Sequence, residues 1–310
     1  MGGKKKGRHS YKVLVGAFIL FTAVLFGGTL AIPYLTGLRT VHIPADASID
    51  VQPWMELVPS TADTVDFANV SYAISVGLNT STQSPILDIT ETGQTLTLSN
   101  ITYLFSYGIP ATNPNTNETG VDVYAVPANV YSSLQDAVST ATTIKPQTYK
   151  NHEIYQILDN VSQGQLEVAA ITFYDGYVFY SQGAQNSLQQ VEAGLDVPLD
   201  QETSLFSNRT VQLAVYAVAG NGTGYIALHY IGYSAEISGA NYATKAVFGS
   251  PNGYNSTYAF GFSSASQASS KSGLVTSTYE RGLDYYLLDN FVVAKVTVYP
   301  QEFFIEMMAF

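Results

Sequence analysis

The residues best suited to acid–base or metal chemistry are the four histidines, His9, His42, His152 and His229. None has a second histidine or a carboxylate at the spacing of a zinc site, so H-E-x-x-H and related patterns are absent. His229 falls in a strand-like run, and we interpret it as a paired or half-buried strand residue. The sequence therefore predicts no metal site and no cofactor.

Nucleophilic catalysis has little support. The segment closest to a G-x-S-x-G elbow, Gly232 to Glu236, lacks the second glycine. The chain has no cysteine, which excludes thiol catalysis and thiolate metal sites. A glycine-rich run, Gly220 to Gly224, is followed by the strand-like YIALHY and not by a helix N-terminus that could bind phosphate. We interpret that run as a hairpin, and we predict no catalytic residue.

Three polar or aromatic groups are weaker candidates. Oxygen ligands for calcium occur in one loop, but the loop lacks the initial Asp and the twelfth-position Glu. Its ligand candidates are Asn113, Asn115, Asn117 and Asp122. Asp196 and Asp200 form a possible acid–base pair, although a solvated turn is the simpler interpretation. Tyrosines cluster in two places, where packing is favoured over ligand binding. These are Tyr225, Tyr230, Tyr233 and Tyr242, and then Tyr279, Tyr285 and Tyr286.

Eight N-x-S/T triplets are the most frequent modification signal in the chain. They begin at Asn69, Asn79, Asn100, Asn117, Asn160, Asn208, Asn221 and Asn255. All follow the long apolar segment near the N-terminus, on the side where glycosylation takes place if that segment spans a membrane. We predict glycosylation at these positions, with Asn117 and Asn221 favoured because their surroundings are typical of exposed loops.

The elements that would carry these residues follow mostly a period of two, which indicates strands. Residues 121–219 read as β-α-β-β-α-β, with helices after Pro127 and around Val191, a hairpin at Asp175-Gly176 and a strand from Thr210 to Val218. That order is typical of a ferredoxin-like unit. A third helix is predicted within 263–282. The predicted fold class is therefore α+β and β-rich, an antiparallel sheet with two or three helices behind one transmembrane helix.

The N-terminus has the features of a membrane anchor. Five cations precede residue 13, and the 26 residues from Val13 to Leu38 carry no charge. That length exceeds the roughly 20 residues that cross a bilayer. The cation bias predicts a cytoplasmic tail at 1–12, a span at 13–38 and an extracellular remainder at the cell membrane. A cleaved signal peptide and a pilin-like leader, suggested by Lys6-Gly7, remain alternatives.

The remainder of the chain is acidic and rich in hydroxyls. Beyond residue 40, seven cations stand against 24 carboxylates, which disfavours nucleic acid as a partner. Residues 39–60, with three prolines, are predicted to be a stalk before a domain at 61–310. Trp54, in that segment, is predicted either to lie near the membrane interface or to cover the edge of the core. The apolar FFIEMMAF at the C-terminus is predicted to be a strand in the sheet or between chains.

Together these features resemble uncharacterised signal-anchored cell-surface glycoproteins of thermophilic archaea. The resemblance is carried by the KKKGRHSYK start, the single span, the absence of cysteine, the eight triplets and the Tyr/Ser/Thr-rich remainder. It implies a place in the cell envelope and names no activity.

The sequence favours a single-pass surface glycoprotein that acts by protein contacts in an envelope assembly, associated with an S-layer, a filament or adhesion. Its expected partners are the lipid bilayer and an envelope protein or a second copy. One alternative is an extracellular enzyme or transport accessory domain that acts on polymers. Its distinguishing feature would be a cleft with two close carboxylates or a metal. A viral envelope protein is the other alternative.

Overall fold

A computed structural model describes residues 38–76, 85–89, 92–109, 120–141, 144–161, 164–182, 187–199, 202–220, 224–232, 237–250, 253–278 and 284–298. The chain divides into two compact units, residues 1–40 and residues 41–310. Of the first unit, only residues 38–40 are described. No described helix is long and apolar enough to cross a membrane. Residues 13–37 of the predicted span lie outside the described residues.

Fifteen strands are described. They are β1 (Arg39–Val41), β2 (Thr64–Ala68), β3 (Pro85–Ile89), β4 (Gln94–Thr97), β5 (Tyr103–Gly108), β6 (Gly120–Ala125), β7 (Ile144–Tyr149), β8 (His152–Val161), β9 (Gly164–Tyr174), β10 (Tyr177–Gln182), β11 (Ala227–Ile231), β12 (Tyr242–Ser250), β13 (Gly253–Gly261), β14 (Asp284–Leu288) and β15 (Phe291–Val298). Five α-helices are described: α1 (Val70–Ser75), α2 (Ala128–Thr140), α3 (Ser187–Asp196), α4 (Arg209–Ala219) and α5 (Ala265–Thr278). Short 3-10 helices occupy Pro53–Leu57, Leu98–Asn100 and Leu205–Ser207.

One large sheet organises the domain. Within residues 41–310 twelve of the described strands form it, in the order β14-β15-β13-β12-β11-β2-β5-β6-β10-β9-β8-β7. Neighbours in this series pair antiparallel. Strands β3 and β4 form a separate hairpin. The pairing of β11 with β2 brings chain segments more than 150 residues apart into the middle of the sheet.

Both faces of the sheet are buried over much of their area, because neighbouring residues on a strand point to opposite faces. On β10, Phe179 packs into one apolar cluster with α3 and α4, while Val178 packs into another with α2 and the β3–β4 hairpin. On β9, Ala170 belongs to the first of these clusters and Ile171 to the second. Helix α5 packs on β14 and β15. The domain is therefore a sheet with helices on both faces.

The structure corrects the predicted fold class. The segment 210–218, predicted as a strand, lies in helix α4, where Val211, Ala214, Val215 and Val218 are buried on one face. Residues 120–219 contain four further strands after α2 and then two helices, so the ferredoxin-like β-α-β-β-α-β unit was wrong. The sheet is also larger than one such unit supplies, and five helices replace the two or three expected.

Several local predictions are confirmed. Helix α2 follows Pro127, with Leu134 and Val138 buried. Helices α3 and α5 lie where the apolar spacing and the serine-rich segment placed them. Trp54 is 2 % exposed and stacks on Phe67, so the interpretation as a core residue is confirmed and the membrane-interface one was wrong. The C-terminal FFIEMMAF segment lies outside the described residues.

Candidate functional site

A cleft of about 720 Å³ lies beside the turn that joins β9 and β10. Three parts of the chain form it: the 3-10 helix at Pro53–Leu57, the turn between β9 and β10, and residues 197–198 together with 202–207. Its lining consists of Pro53, Glu56, Leu57, Tyr174, Asp175, Tyr177, Val197, Pro198, Glu202, Thr203, Ser204 and Ser207. Clefts of this size are typical of ligand sites, so it is the first place to look for function.

The β9–β10 turn positions the first wall. Asp175 and Gly176 both have positive φ, 44° and 84°, as a two-residue type I′ turn requires. Asp and Gly are the residues that adopt this conformation at least cost, which is why the Asp-Gly pair predicted the hairpin. The register pairs Tyr174 with Tyr177 directly across the hairpin. The turn therefore presents an exposed carboxylate between two tyrosines.

Both tyrosines of the turn are held by hydrogen bonds. The Tyr177 and Tyr103 hydroxyl oxygens lie 2.6 Å apart, and the Tyr174 hydroxyl donates to the Pro198 carbonyl at 3.2 Å. Burial, and then the hydrogen bond with Tyr177, raise the pKa of Tyr103 above its usual range. Rings fixed in this way lose little conformational freedom when a ligand packs on them.

Aromatic rings connect the cleft to the main core. The Tyr103 ring lies 6.2 Å from the Tyr177 ring and 5.8 Å from that of Phe67. Phe67 stacks on Trp54 at 4.4 Å with an interplanar angle of 16°. Trp54 is the only tryptophan of the chain and follows Pro53, which lines the cleft. Its fluorescence is therefore a built-in reporter of changes at the cleft.

Residues 202–204, on the third wall of the cleft, form hydrogen bonds with residues that precede β2. Glu202 Oε1 accepts hydrogen bonds from the Ser60 hydroxyl at 2.8 Å and from the Thr61 amide at 3.0 Å. The Ser204 hydroxyl donates to the Met55 carbonyl at 2.6 Å and also accepts from an amide in its own turn. The wall at residues 202–207 and the wall at the 3-10 helix Pro53–Leu57 are far apart in the sequence and are held together by hydrogen bonds.

The cleft is acidic. Glu56, Asp175 and Glu202 line it, and no lysine, arginine or histidine does so among the described residues. Glu56 and Asp175 are exposed, and neither makes a hydrogen bond or an ion pair with another residue of the described segments. Like charges along a concave surface focus a negative potential there. Lined in this way, the cleft suits an ammonium or guanidinium group, which tyrosine rings also attract.

The hydroxyls of the cleft are not arranged for catalysis. Those of Ser204 and Ser207 donate to backbone carbonyls, and no histidine lines the described cleft to act as their base. The enzyme alternative requires two close carboxylates, and of the three that line the cleft Glu202 has its Oε1 occupied by Ser60 and Thr61. This geometry supports binding better than a chemical step.

A second polar group crosses the centre of the sheet. Cross-strand register places Lys245, His229, Asp66, Ser106 and Asp122 opposite one another on successive strands, from β12 to β6. His229 Nδ1 contacts Asp66 Oδ1, so the paired-strand interpretation of His229 is confirmed. Ser106 lies opposite Asp66 and not opposite His229, which is the wrong order for a Ser-His-Asp triad.

Within this row, burial raises the pKa of Asp122, and the charge of Asp66 adds to that effect. The hydrogen bond from Tyr124 opposes it. In the described segments no three His, Asp or Glu side chains form a group that could hold a metal.

The predicted glycosylation sites fall in several settings. Asn69 and Asn208 cap helices α1 and α4, and each side chain accepts from a backbone amide. Asn100 follows β4 in a 3-10 turn, Asn160 lies in β8, and Asn255 lies in β13. Asn79, Asn117 and Asn221 lie outside the described residues. Occupancy stays a prediction for all eight.

The other sequence candidates mostly have structural roles. Asp196 binds Lys150 and Tyr149, and Asp200 lies outside the described residues. Asp122 belongs to the polar row, whereas Asn113, Asn115 and Asn117 lie outside the description. His42 pairs with Asp289, and His9 lies outside the described residues.

Tyr225, Tyr230 and Tyr242 pack in the core, which confirms the packing interpretation for them. Tyr285 and Tyr286 are half-buried on β14, while Tyr233 and Tyr279 lie outside.

Sequence reasoning did not single out the residues of the cleft. The Asp-Gly turn identified the strands that carry Tyr174 and Tyr177, but not their role. Nothing near Glu56 or Glu202 distinguishes them from other acidic residues, because their significance depends on a tertiary contact.

Comparison with known proteins gives similarity to solved structures alone. No family model matches the chain, and no curated protein matches it. The structure titled "Structure of crystal form III of TP0453" matches with a TM-score of 0.48 and 11 % identity, over 82 % of this chain and 96 % of that one. Crystal form I of TP0453 matches with a TM-score of 0.47 and 10 % identity, over 84 % and 97 %. At this level of similarity the two structures assign no function to the chain.

Proposed function

We propose that this protein is an N-terminally anchored surface glycoprotein that binds an envelope protein partner through its acidic cleft. The partner presents lysine or arginine side chains to the cleft. The observation that carries the proposal is a cleft with three carboxylates, two fixed tyrosines and no cation among its described lining residues.

Charge complementarity supports a basic partner. The chain beyond residue 40 carries 24 carboxylates and seven cations, so its long-range field already attracts positive surfaces. Within the cleft, Glu56 and Asp175 make no hydrogen bond or ion pair with the described residues, so a ligand cation would not have to displace an internal one. A cation over the face of Tyr174 or Tyr177 would gain roughly 0.5–2 kcal/mol.

The sequence supports a location outside the cytoplasm. The basic start, the uncharged run at 13–38 and the eight glycosylation triplets that follow it agree on this orientation. All three are sequence patterns, and protease protection of the N-terminal tail in intact cells is the measurement that tests the orientation.

Tryptophan fluorescence of the purified full chain tests the binding site. We expect an acetylated peptide of alternating lysine and glycine to change Trp54 emission, and its acetyl-lysine counterpart to have no effect. Neutralising Glu56 and Asp175 together, as E56Q/D175N, should weaken lysine-peptide binding about tenfold through lost charge pairing. Asn tolerates the positive φ at residue 175, so the turn is retained.

The matched control is Asp136→Asn, which removes one exposed carboxylate from α2, a helix that contributes nothing to the cleft lining. D136N should bind the peptide like the parent chain. Equal binding of the lysine and acetyl-lysine peptides, or an unaffected E56Q/D175N variant, would overturn the proposal. Binding of a neutral oligosaccharide in place of the peptide would instead support the polymer-acting alternative.

A further inference from the structure

The described glycosylation triplets differ in the exposure of their two essential residues. Asn208 and Thr210 are both exposed. At the triplet of Asn255 the threonine, Thr257, is 5 % exposed, and its hydroxyl is therefore buried in the folded chain. Asn69 and Asn100 are themselves half-buried. Of the described triplets with described side chains, only that of Asn208 has both its asparagine and its threonine in exposed positions.

The capping geometry of Asn208 leaves its reactive atom available. Asn208 Oδ1 accepts from the Thr210 amide at 2.9 Å and so caps the N-terminus of α4. The side-chain nitrogen, Nδ2, makes no hydrogen bond with the described residues. An N-linked sugar is attached through Nδ2 and leaves Oδ1 in place, so the cap and a glycan are compatible.

The backbone holds Asn208 at the rim of the cleft. Ser207 lines the cleft, and consecutive Cα atoms lie about 3.8 Å apart. Phe206 is 1 % exposed, and its carbonyl accepts from Gln212 Nε2 at 2.9 Å. The Leu205 amide donates to the Val58 carbonyl at 2.9 Å. These contacts leave the segment little freedom to carry Asn208 away from the rim.

We infer that Asn208 carries an N-linked glycan that partly covers the cleft and limits the access of its basic partner. This inference rests on the proposed function. The sugar comes from a lipid-linked sugar phosphate or pyrophosphate donor. The bond from sugar C1 to the phosphate oxygen breaks, a bond from C1 to Nδ2 forms, and the proton lost from Nδ2 leaves with the phosphate.

Occupancy is measured by mass spectrometry of glycopeptides from the full chain, produced in a host that glycosylates such triplets. Three variants separate the glycan from the cap. Thr210→Ser keeps the triplet, whereas Thr210→Ala destroys it without altering Asn208. Asn208→Asp removes the acceptor nitrogen and retains an oxygen cap. We expect the parent and T210S to be occupied at Asn208, and T210A and N208D to be bare.

Access to the cleft is measured independently of any partner. The chain has no cysteine, so Ser207→Cys creates a single thiol in the cleft wall without changing the triplet. We expect maleimide to label this thiol several-fold faster in the S207C/T210A chain than in S207C alone. Ser132→Cys, on an exposed position of α2, should label at one rate with or without the T210A change. Lysine-peptide affinity should rise in T210A, which changes no charge; N208D is left out of this measurement because its added carboxylate would itself attract lysine.

The outcomes distinguish the two proposals. An unoccupied Asn208, or equal labelling of S207C with and without the glycan, overturns the present inference whatever the cleft binds. If the bare T210A variant binds no lysine peptide while labelling still depends on the glycan, the proposed function fails and the glycan remains a cover of the cleft.

Discussion

Two buried tyrosines, one in each half of the sheet, differ in whether the hydroxyl has a described hydrogen-bond partner. In the half from β2 to β7, the Tyr107 hydroxyl is buried against Gly194 without a hydrogen-bond partner among the described residues. In the half from β11 to β14, the Tyr242 ring lies against Gly261, and its hydroxyl accepts a hydrogen bond from Asn290 Nδ2 at 3.3 Å. Among the described residues, the Tyr242 hydroxyl has a hydrogen-bond partner and the Tyr107 hydroxyl has none.

One carboxylate in each half has a shifted pKa, and the two shifts are opposite in direction. Burial and the charge of Asp66 raise the pKa of Asp122 in the first half. In the second half, burial acts to raise the pKa of Asp289, but hydrogen bonds from His42 and the Ile43 amide lower it overall. Both halves contain buried hydroxyls without a described partner, since Thr244 Oγ1 and Ser256 Oγ lie in the second half. The contrast is therefore one between individual residues.

The largest effect expected is that of Gly261→Ala. An added Cβ would lie 2.0 Å from Tyr242 Cε2 and 2.3 Å from its Cζ, so the ring must move away from its contact with Phe291. Overpacking of this kind costs about 1–3 kcal/mol or more. Chemical unfolding of the purified chain should show the loss. Gly273→Ala is the control, because nothing lies within 4 Å of its added Cβ. If G261A were as stable as the parent chain, the Tyr242 ring would be able to move aside at little cost in free energy.

Gly194→Ala should have a smaller effect and should be reversible by a second change. The added Cβ would lie 2.1 Å from the Tyr107 hydroxyl oxygen and 3.2 Å from Phe179. Alanine recovers roughly 1 kcal/mol of helix propensity in α3, which offsets part of the clash. Removing the oxygen in Y107F/G194A should restore most of the lost stability, since the hydroxyl has no described hydrogen bond to lose.

Tyr107→Phe alone should keep or raise the free energy of unfolding, because it removes a buried group without a partner. If it lowered stability instead, the hydroxyl would have a partner and the contrast between Tyr107 and Tyr242 would fail. Burial, followed by the charge of Glu202, raises the pKa of Tyr107 above its usual range, so the group is a neutral phenol at any ordinary pH.

The smallest effects expected are opposite pH dependences of two asparagine variants. Asp122 has a raised pKa in the folded state, so its ionisation opposes folding at neutral pH and that cost disappears as the pH falls. Asp289 has a lowered pKa, so it adds stability above its unfolded pKa and loses it as the pH falls through the folded one. Relative to the parent, D122N should gain stability at pH 7 and D289N should lose it.

The D122N difference should disappear as the pH falls below the unfolded carboxyl pKa, whereas the D289N difference should persist until the pH falls through the lowered folded pKa. Unfolding curves at several pH values would show both. A parallel response of the two variants would contradict the assignment of opposite shifts. Asp136→Asn, exposed on α2, serves as the reference for loss of a charge alone.

The sequence predicted correctly those elements whose structure is determined by residues close together in the chain. Asp175-Gly176 gave the β9–β10 hairpin, because positive φ at two consecutive positions strongly selects these residues. Leu134 and Val138 gave the apolar face of α2. In both cases burial and local conformation favour the same structure.

Helix α4 shows why the rest could not be predicted as well. The run TVQLAVYAV alternates and is rich in residues that favour strands, which produced the strand prediction. The same residues also match helical spacing, and tertiary burial of Val211, Val215 and Val218 decided the outcome. Two end signals were overlooked: Asn208 as an N-cap, and Gly220, whose φ of 62° ends the helix.

The cleft could not be predicted from local sequence patterns, because its walls come from distant parts of the chain that the tertiary fold brings together. Tyr174 and Glu56 are more than 100 residues apart, and no periodicity or turn signal relates them. The alternation of apolar residues that defines strands does not specify their order in the sheet. Where an acidic surface would form therefore depended on topology.

The bond between Ser60 and Glu202 closes a loop of 142 residues. Contacts of such high sequence separation form late, since the entropy of closing the loop must be lost before the contact stabilises anything. A chain that emerges from the ribosome or a translocation channel from its N-terminus therefore has no assembled cleft until residue 207 has emerged. A chain truncated before residue 207 therefore lacks the assembled cleft, even if its earlier strands have paired.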